Sequence, residues 1–322
     1  MRVTLVTTWD IPCGIAEHAF YLKEAIEGAD RDIQIVVQPN LHPDAVLADI
    51  ADYDWVWLNY HAALHSQWTP EHVRAVQARG AKCGVTFHDT GVPNSAQCKA
   101  LHAVADCFVV HEPAEDLPGA VYLRQGIPDW WYVYTFFRGK GSPWERRPVV
   151  GTLGFPFPWK NYDLLAEASA LAGWGLLLLA PNATDAQEVR WRELNPHIHV
   201  ESSFTDRNTA QAMLNACDAT AFLYANANTG TSAAIRLGIA ARKPVLASSY
   251  GACRQFRDLW EDPVARDAIH WQHHLTVERV ADALACVRPG PFDAGVVRLA
   301  HQDRWALVGQ VYAYLLHEQR MP

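Results

Sequence analysis

The chain has 322 residues, half of them hydrophobic, enough to bury the cores of two ordinary domains. Its 27 basic and 35 acidic residues leave a net charge of −8, which argues against a general nucleic-acid binder. Seven cysteines without a Cys-x-x-Cys pair suit a reducing compartment rather than a disulfide frame or zinc ribbon, and no apolar run approaches the roughly 18 residues of a membrane span.

Apolar runs alternate with helical patterns along the whole sequence. Residues 2–7 read as a strand, and 16–27 as a helix with Ala19, Leu22 and Ile26 on one face. A strand starting at Arg2 leaves no room for a leader peptide, so a cytoplasmic protein is expected. Further strands are predicted at 33–37, 55–58, 83–87, 107–110 and 120–123. Continuous β-rich runs separated by helices indicate a parallel sheet covered on both faces. The segment 128–148 is aromatic, then Gly/Ser/Pro-rich, then charged, and reads as a connection between domains. A second series follows, with strands at 149–153, 175–180, 197–200, 219–224 and 244–247. Its helices are predicted at 161–171, 207–216, 232–241 and 277–285. Residues 295–318 carry Leu299, Trp305, Val308, Tyr312 and Leu315 at helical spacing. Two successive α/β domains are expected to hold a ligand at the C-terminal ends of their strands.

The most informative stretch is Val150 to Asn161, a strand, a Gly/Pro loop and a helix start, with Lys160 at the junction. A helix N-terminus gathers unsatisfied N–H donors and partial positive charge, and a lysine there adds a full charge, an arrangement suited to an anionic ligand. The spacing is not that of a P-loop. Gly14 opens the first helix and allows close backbone approach to a bound group. His88-Asp89 and His111-Glu112 each follow a strand, where polar side chains face the ligand side of such a sheet. For His111 a structural role is the stronger expectation, since two strand-end histidines need not share a ligand. Thr229-Gly230-Thr231-Ser232 precedes a helix with Arg236 one turn in, which fits either phosphate binding or simple capping with a surface arginine. His61 and His65, and His270, His273 and His274, lack a third ligand and read as solvated or structural, so no metal site is expected. No Ser-His-Asp order, Gly-x-Ser-x-Gly or Gly-x-Gly-x-x-Gly motif supports a hydrolase or a dinucleotide enzyme. Some of the 13 tryptophans are expected in cores and others stacked on a sugar or base.

Together these segments resemble the retaining GT-B glycosyltransferases of the "group 1" family over nearly the whole chain. The similarity lies in Cys13-Gly14-Ile15-Ala16-Glu17-His18, in Val85-Thr86-Phe87-His88-Asp89, and in Leu123-Arg124-Gln125-Gly126-Ile127-Pro128. It continues through Gly151-Thr152-Leu153-Gly154 to Lys160-Asn161, Thr205-Asp206, Asn215-Ala216-Cys217-Asp218 and the stretch from Gly238 to Ser248. The resemblance implies two Rossmann-like α/β domains facing across a cleft: an acceptor-side domain over 1–147, a donor domain over 148–295, and a C-terminal helix over 296–322 returning to the first domain. It implies transfer of a sugar from a nucleotide-diphosphate sugar with retention of configuration, without metal or other cofactor. The implied catalytic residues are His88, Lys160 and Arg236. Donor contacts would come from Gly14, Gly154, Lys160, Asn161, Thr205, Thr229, Gly230, Thr231 and Ser232, and acceptor contacts from Glu17, His18, Asp89 and His61. Loops near 60–69 and 90–97 would add acceptor contacts.

The sequence departs from the family at the Glu-x7-Glu pair, where Thr229 and Leu237 stand, and at the arginine of the phosphate loop, where Phe155 and Pro156 stand. The acceptor is left open among a glycan, a lipid-linked glycan, a small molecule and a modified nucleic acid, and peripheral membrane contact is compatible with the chain. Two alternatives share the architecture: a nucleotide-sugar epimerase or hydrolase, and a catalytically silent nucleotide-sugar-binding module, which the missing carboxylates motivate. A viral-type DNA-base glycosyltransferase is a special case of the first reading.

Overall fold

The computed structural model describes residues 1–11, 13–39, 41–88, 96–111, 117–128, 147–225, 232–249, 269–289 and 293–318. The chain divides into two compact units. Unit one holds residues 1–126, 228–233 and 303–322, and unit two holds 127–227 and 234–302.

In unit one, β1 (Arg2–Val6), β2 (Gln34–Gln38), β3 (Trp55–Tyr60), β4 (Lys82–Phe87), β5 (Cys107–Val110) and β6 (Val121–Tyr122) form one parallel sheet in the order β2-β1-β3-β4-β5-β6. β3 is buried along its whole length, Asn59 included, as a sheet covered on both faces requires. Helix α1 (Gly14–Ala29) connects β1 to β2; α2 (Pro43–Ala48), α3 (Ala62–His65), α4 (Pro70–Ala78) and α5 (Ala96–His102) follow in the later connections. The Cys13 side chain caps α1 by accepting from the Ala16 amide. Strand order reverses between β1 and β3, because the chain adds β2 on one side of β1 and β3 on the other. At such a switch point the loops leave the strand ends in opposite directions and open a ligand crevice.

Unit two repeats the plan. Strands β7 (Val149–Leu153), β8 (Gly175–Leu179), β9 (Ile198–Glu201), β10 (Ala219–Phe222), β11 (Val245–Ser248) and β12 (Ile269–Gln272) lie parallel in the order β12-β11-β10-β7-β8-β9. Helices α6 (Tyr162–Leu171), α7 (Asp185–Leu194), α8 (Arg207–Asn215), α9 (Ala233–Ala240) and α10 (Val277–Cys286) cover it, followed by α11 (Ala294–Gln302). The reversal falls between β7 and β10.

The expected continuous helix over 295–318 is two helices. α11 ends at Gln302, and α12 (Trp305–Glu318) belongs to unit one. The break falls at buried Asp303, which pairs with Arg124 at 3.2 Å. α12 packs closely on α1: a Cβ added at Gly309 would lie 2.2 Å from the Ala25 carbonyl oxygen. The Tyr312 hydroxyl in α12 shares a 2.9 Å hydrogen bond with Thr86 of β4. The described cysteines Cys13, Cys83, Cys98, Cys107, Cys217 and Cys286 are free thiols, and no described helix is long and apolar enough to cross a membrane.

Candidate active site

In unit two, the predicted anion loop stands at the switch point. β7 ends at Leu153 and is followed by Gly154, whose φ of +131° is open to glycine and strained for other residues. A 3-10 turn over Pro158–Lys160 then leads to Asn161, at φ 53° and ψ 38°. The left-handed backbone at Asn161 delays α6 to Tyr162, one residue later than the sequence pattern suggests. Asn161 is fixed there because its Nδ2 donates to the Leu223 carbonyl at 2.8 Å. Lys160 Nζ donates to Tyr224 Oη at 2.8 Å and lies 4.2 Å from that ring's centroid. Leu223 and Tyr224 immediately follow β10, so the two switch-point strands hold the lysine and its anchor side by side. The ammonium also borders Gly154, where an added Cβ would meet it at 3.1 Å. A half-buried cation thus rests on the ring face of a buried tyrosine, beside a half-buried glycine whose N–H donates to the Leu179 carbonyl and whose carbonyl accepts from the Tyr162 hydroxyl. Phe157 and Trp159 of the same loop stack at 4.5 Å.

The other donor-side candidates divide. Thr205 is half-buried in the connection from β9 to α8, next to Asp206, which caps α8 through the Asn208 and Thr209 amides. Ser232 is buried just before α9. Arg236 is 4% exposed. The surface-arginine expectation is therefore corrected: α9 is buried along nearly its whole length, from Ala234 to Ala240, and its periodicity does not mark a solvent face. Thr229, Gly230 and Thr231 lie outside the described residues, as does Asp89.

In unit one, Gly14 is the exposed first residue of α1 and Glu17 is half-buried in its first turn. His61 caps α3, its Nδ1 accepting from the Ala63 amide at 3.2 Å, and stands apart as a local structural residue. Its neighbour His65 is buried, and burial pulls its imidazole down to about 4.

His18 and His88 are brought together, and His111 joins them. Their exposures are 2%, 4% and 1%. Ring centroids lie 4.5 Å apart for His18 and His88, 4.9 Å for His88 and His111, and 5.2 Å for His18 and His111. His111, for which a structural role is the stronger expectation, is buried directly beside His88. β4 and β5 pair Phe87 with Val110, so the next residue of each strand projects at the same level. His88 Nε2 lies 2.5 Å from Asn59 Oδ1. The Asn59 amide is oriented by its Nδ2, which donates to Thr7 Oγ1 and the Ile15 carbonyl, so His88 Nε2 is the donor. Gln125 Nε2 faces His88 Nδ1 at 3.3 Å, and His111 Nδ1 donates to the Leu123 carbonyl at 2.8 Å. Trp305 of α12 packs against His18 and stacks on Tyr21. Asn59, Gln125 and Tyr224 were not singled out from the sequence, since each matters through a partner tens of residues away.

No protein-family model and no curated protein sequence matches the chain. Its fold does match solved structures over nearly its full length. It is similar to Anabaena Alr3699/HepE, described in complex with UDP and glucose, at a TM-score of 0.65 and 14% identity, covering 98% of each chain. AviGT4, a glycosyltransferase involved in avilamycin A biosynthesis, superposes at a TM-score of 0.61 and 12% identity, covering 99% of this chain and 97% of that one. The trehalose-6-phosphate synthase OtsA superposes at a TM-score of 0.67 and 11% identity over 100% of both chains. With two parallel six-stranded Rossmann-like sheets, this chain has the fold of the GT-B glycosyltransferases.

Proposed function

We propose that this protein transfers a sugar from a nucleotide-diphosphate sugar to an acceptor hydroxyl with retention of anomeric configuration. The observation that carries this reading is Lys160, held by Tyr224 beside Gly154 at the β7–β10 switch point. The difficult step is cleavage of the bond from the anomeric carbon to the diphosphate, which leaves negative charge on the departing oxygen. A cation already fixed in place stabilises that charge without reorganising. Lys160 would take this role, with Arg236 and the backbone amides around Thr205 and of 229–232 completing the diphosphate contacts. The acceptor oxygen would bond to the anomeric carbon on the face the diphosphate leaves, and its proton would pass to the leaving phosphate oxygen. Lys160 and Arg236 would supply the charge compensation, so in this reading the step needs neither a metal nor a covalent enzyme intermediate. His88 would hydrogen-bond the transferred sugar, with its tautomer set by Asn59. Gly14, Glu17, His18, Asp89 and His61 would be the acceptor-side residues in this reading. The three proteins of similar fold described above support the assignment: one binds UDP and glucose and the others are a glycosyltransferase and a sugar-phosphate synthase. Free thiols in all described cysteines fit action in the cytoplasm.

A silent binding module is the second reading, favoured by Thr229 and Leu237 at the places of the family's two carboxylates. Nucleoside diphosphate release that depends on an added acceptor separates the readings. A transferase releases it, a hydrolase releases it without the acceptor, and a binding module releases none.

A further inference from the structure

His18, His88 and His111 form a cluster that glycosyl transfer does not require. One imidazole beside a sugar accounts for His88, but not for two more rings packed against it in the interior. Burying three imidazoles side by side costs free energy that an apolar trio would not. One ring nitrogen from each lies within 4.8 Å of the other two. The hydrogen bonds around them fix where the lone pairs are. His88 Nε2 donates to Asn59 Oδ1, which puts its lone pair on Nδ1, and His111 Nδ1 donates to the Leu123 carbonyl, which puts its lone pair on Nε2. A metal-bound imidazole characteristically donates its other N–H to a carbonyl or carboxylate oxygen, and both of these do so.

We propose that His18, His88 and His111 form a seat for a late first-row divalent cation, with Zn2+ the best fit, and that occupancy withdraws His88 from the sugar and inhibits transfer. Imidazole favours the zinc, cobalt and nickel group over the hard cations Mg2+ and Ca2+. Three imidazoles with a fourth position for water make a common zinc coordination set. Zn–N bonds of about 2.0–2.1 Å put tetrahedral ligand nitrogens about 3.4 Å apart. From the 4.8 Å limit the widest pair would therefore close by at most about 1.4 Å, which the proposal requires the imidazole rings to supply by rotation. Gln125 Nε2 would leave His88 Nδ1 as the ion arrives. The inhibitory half rests on the assignment of His88 to the sugar; the seat itself does not.

The test titrates Co2+, then Zn2+, into chelator-stripped protein. Wild type should bind one equivalent of Co2+ saturably, with the visible band of a low-coordinate cobalt–imidazole site, and Zn2+ should displace it. His18→Leu and His111→Leu should each weaken binding by more than about 100-fold, beyond the 10- to 100-fold typical of losing an outer partner. His274→Ala, on an exposed histidine elsewhere, should leave binding unchanged. Absence of saturable Co2+ binding in wild type, or a band that survives in His111→Leu, overturns the seat. Should both leucine variants fail to fold, imidazole NMR of wild type decides: Zn2+ must shift the rings of these three histidines, and shifts confined to others refute the proposal. Zn2+ should also lower donor turnover in wild type, with a chelator restoring it. Unchanged turnover at saturating Zn2+ refutes the inhibitory half, whereas a protein that binds Zn2+ at the cluster but turns over no donor even when stripped of metal refutes the transferase reading.

Discussion

Replacing Lys160 with methionine keeps most of the side-chain stem and removes the charge that Tyr224 holds. In the free protein this deletes one 2.8 Å hydrogen bond and a cation over a ring at 4.2 Å. Lys160 is half-buried, so water takes part of their place, and about 1 kcal/mol is lost. The unliganded melting temperature should fall by no more than about 2–4 °C. The effect on a bound diphosphate is larger. A hydrogen bond to a charged partner contributes about 1.5–3 kcal/mol, which is roughly a 10- to 150-fold loss of nucleoside diphosphate affinity. If the contact tightens as the leaving group gains charge, kcat should fall by about 10²–10³-fold. Tyr224→Phe keeps the ring face under the ammonium and removes only the hydroxyl that positions it. About 1 kcal/mol, or roughly fivefold in affinity, is expected there. Lys160→Arg should fall between wild type and Lys160→Met, since charge is kept and geometry is not. Isothermal titration with uridine, guanosine and adenosine diphosphates, with melts of the same four proteins, reads these effects. Equal diphosphate affinity in wild type and Lys160→Met would refute the reasoning and leave Lys160 a structural partner of Tyr224.

Other substitutions test the surrounding claims. Gly309→Ala should destabilise unit one by about 1–3 kcal/mol or more, because the new Cβ meets the Ala25 backbone, which cannot rotate aside; an unchanged urea midpoint would contradict the α1–α12 packing. His65 should make the protein acid-sensitive. Its neutral form is favoured in the fold, so the stability it contributes is complete above the unfolded value of 6.5 and is lost as pH falls towards about 4. Across that window the loss is about 3 kcal/mol; in urea melts at near-neutral and acid pH, His65→Asn should show a smaller pH dependence than wild type, and an equal one would refute the assignment. Gly14→Val should block donor turnover and lower the melting temperature slightly, since Gly14 is exposed at the start of α1 but an added Cβ lies 3.2 Å from the Ala233 Cβ; full activity would end the close-approach argument.

Much of the fold is legible in the sequence because parallel strands buried on both faces leave continuous apolar runs. The runs at 107–110 and 149–153 coincide with β5 and β7 end to end, and others are displaced by one or two residues. The break before α12 was hidden because Asp303 and Arg124 are far apart in the chain and meet only in the fold. From the sequence Arg236 fits either a phosphate contact or a surface position one turn into its helix; that α9 is buried along nearly all of its length is a property of the fold. The loop at Lys160 was readable because strand, Gly/Pro turn and lysine are contiguous; its anchor Tyr224 was not, lying 64 residues on. The histidine cluster needed the register of β4 against β5 and the seating of α1 over their ends. The local signal is two apolar strands that each run into a histidine; that the strands are adjacent is a long-range fact the local pattern does not carry.

The most direct test of the central claim is nucleoside diphosphate release from a panel of UDP-, GDP- and ADP-sugars, with and without a pool of glycan, lipid-linked and small-molecule acceptors. The account predicts that one donor is turned over, that release rises with acceptor, that the product keeps the donor's anomeric configuration, and that Lys160→Met loses the activity. Saturable binding of a nucleotide sugar with no release under any acceptor would contradict it and establish a binding module instead.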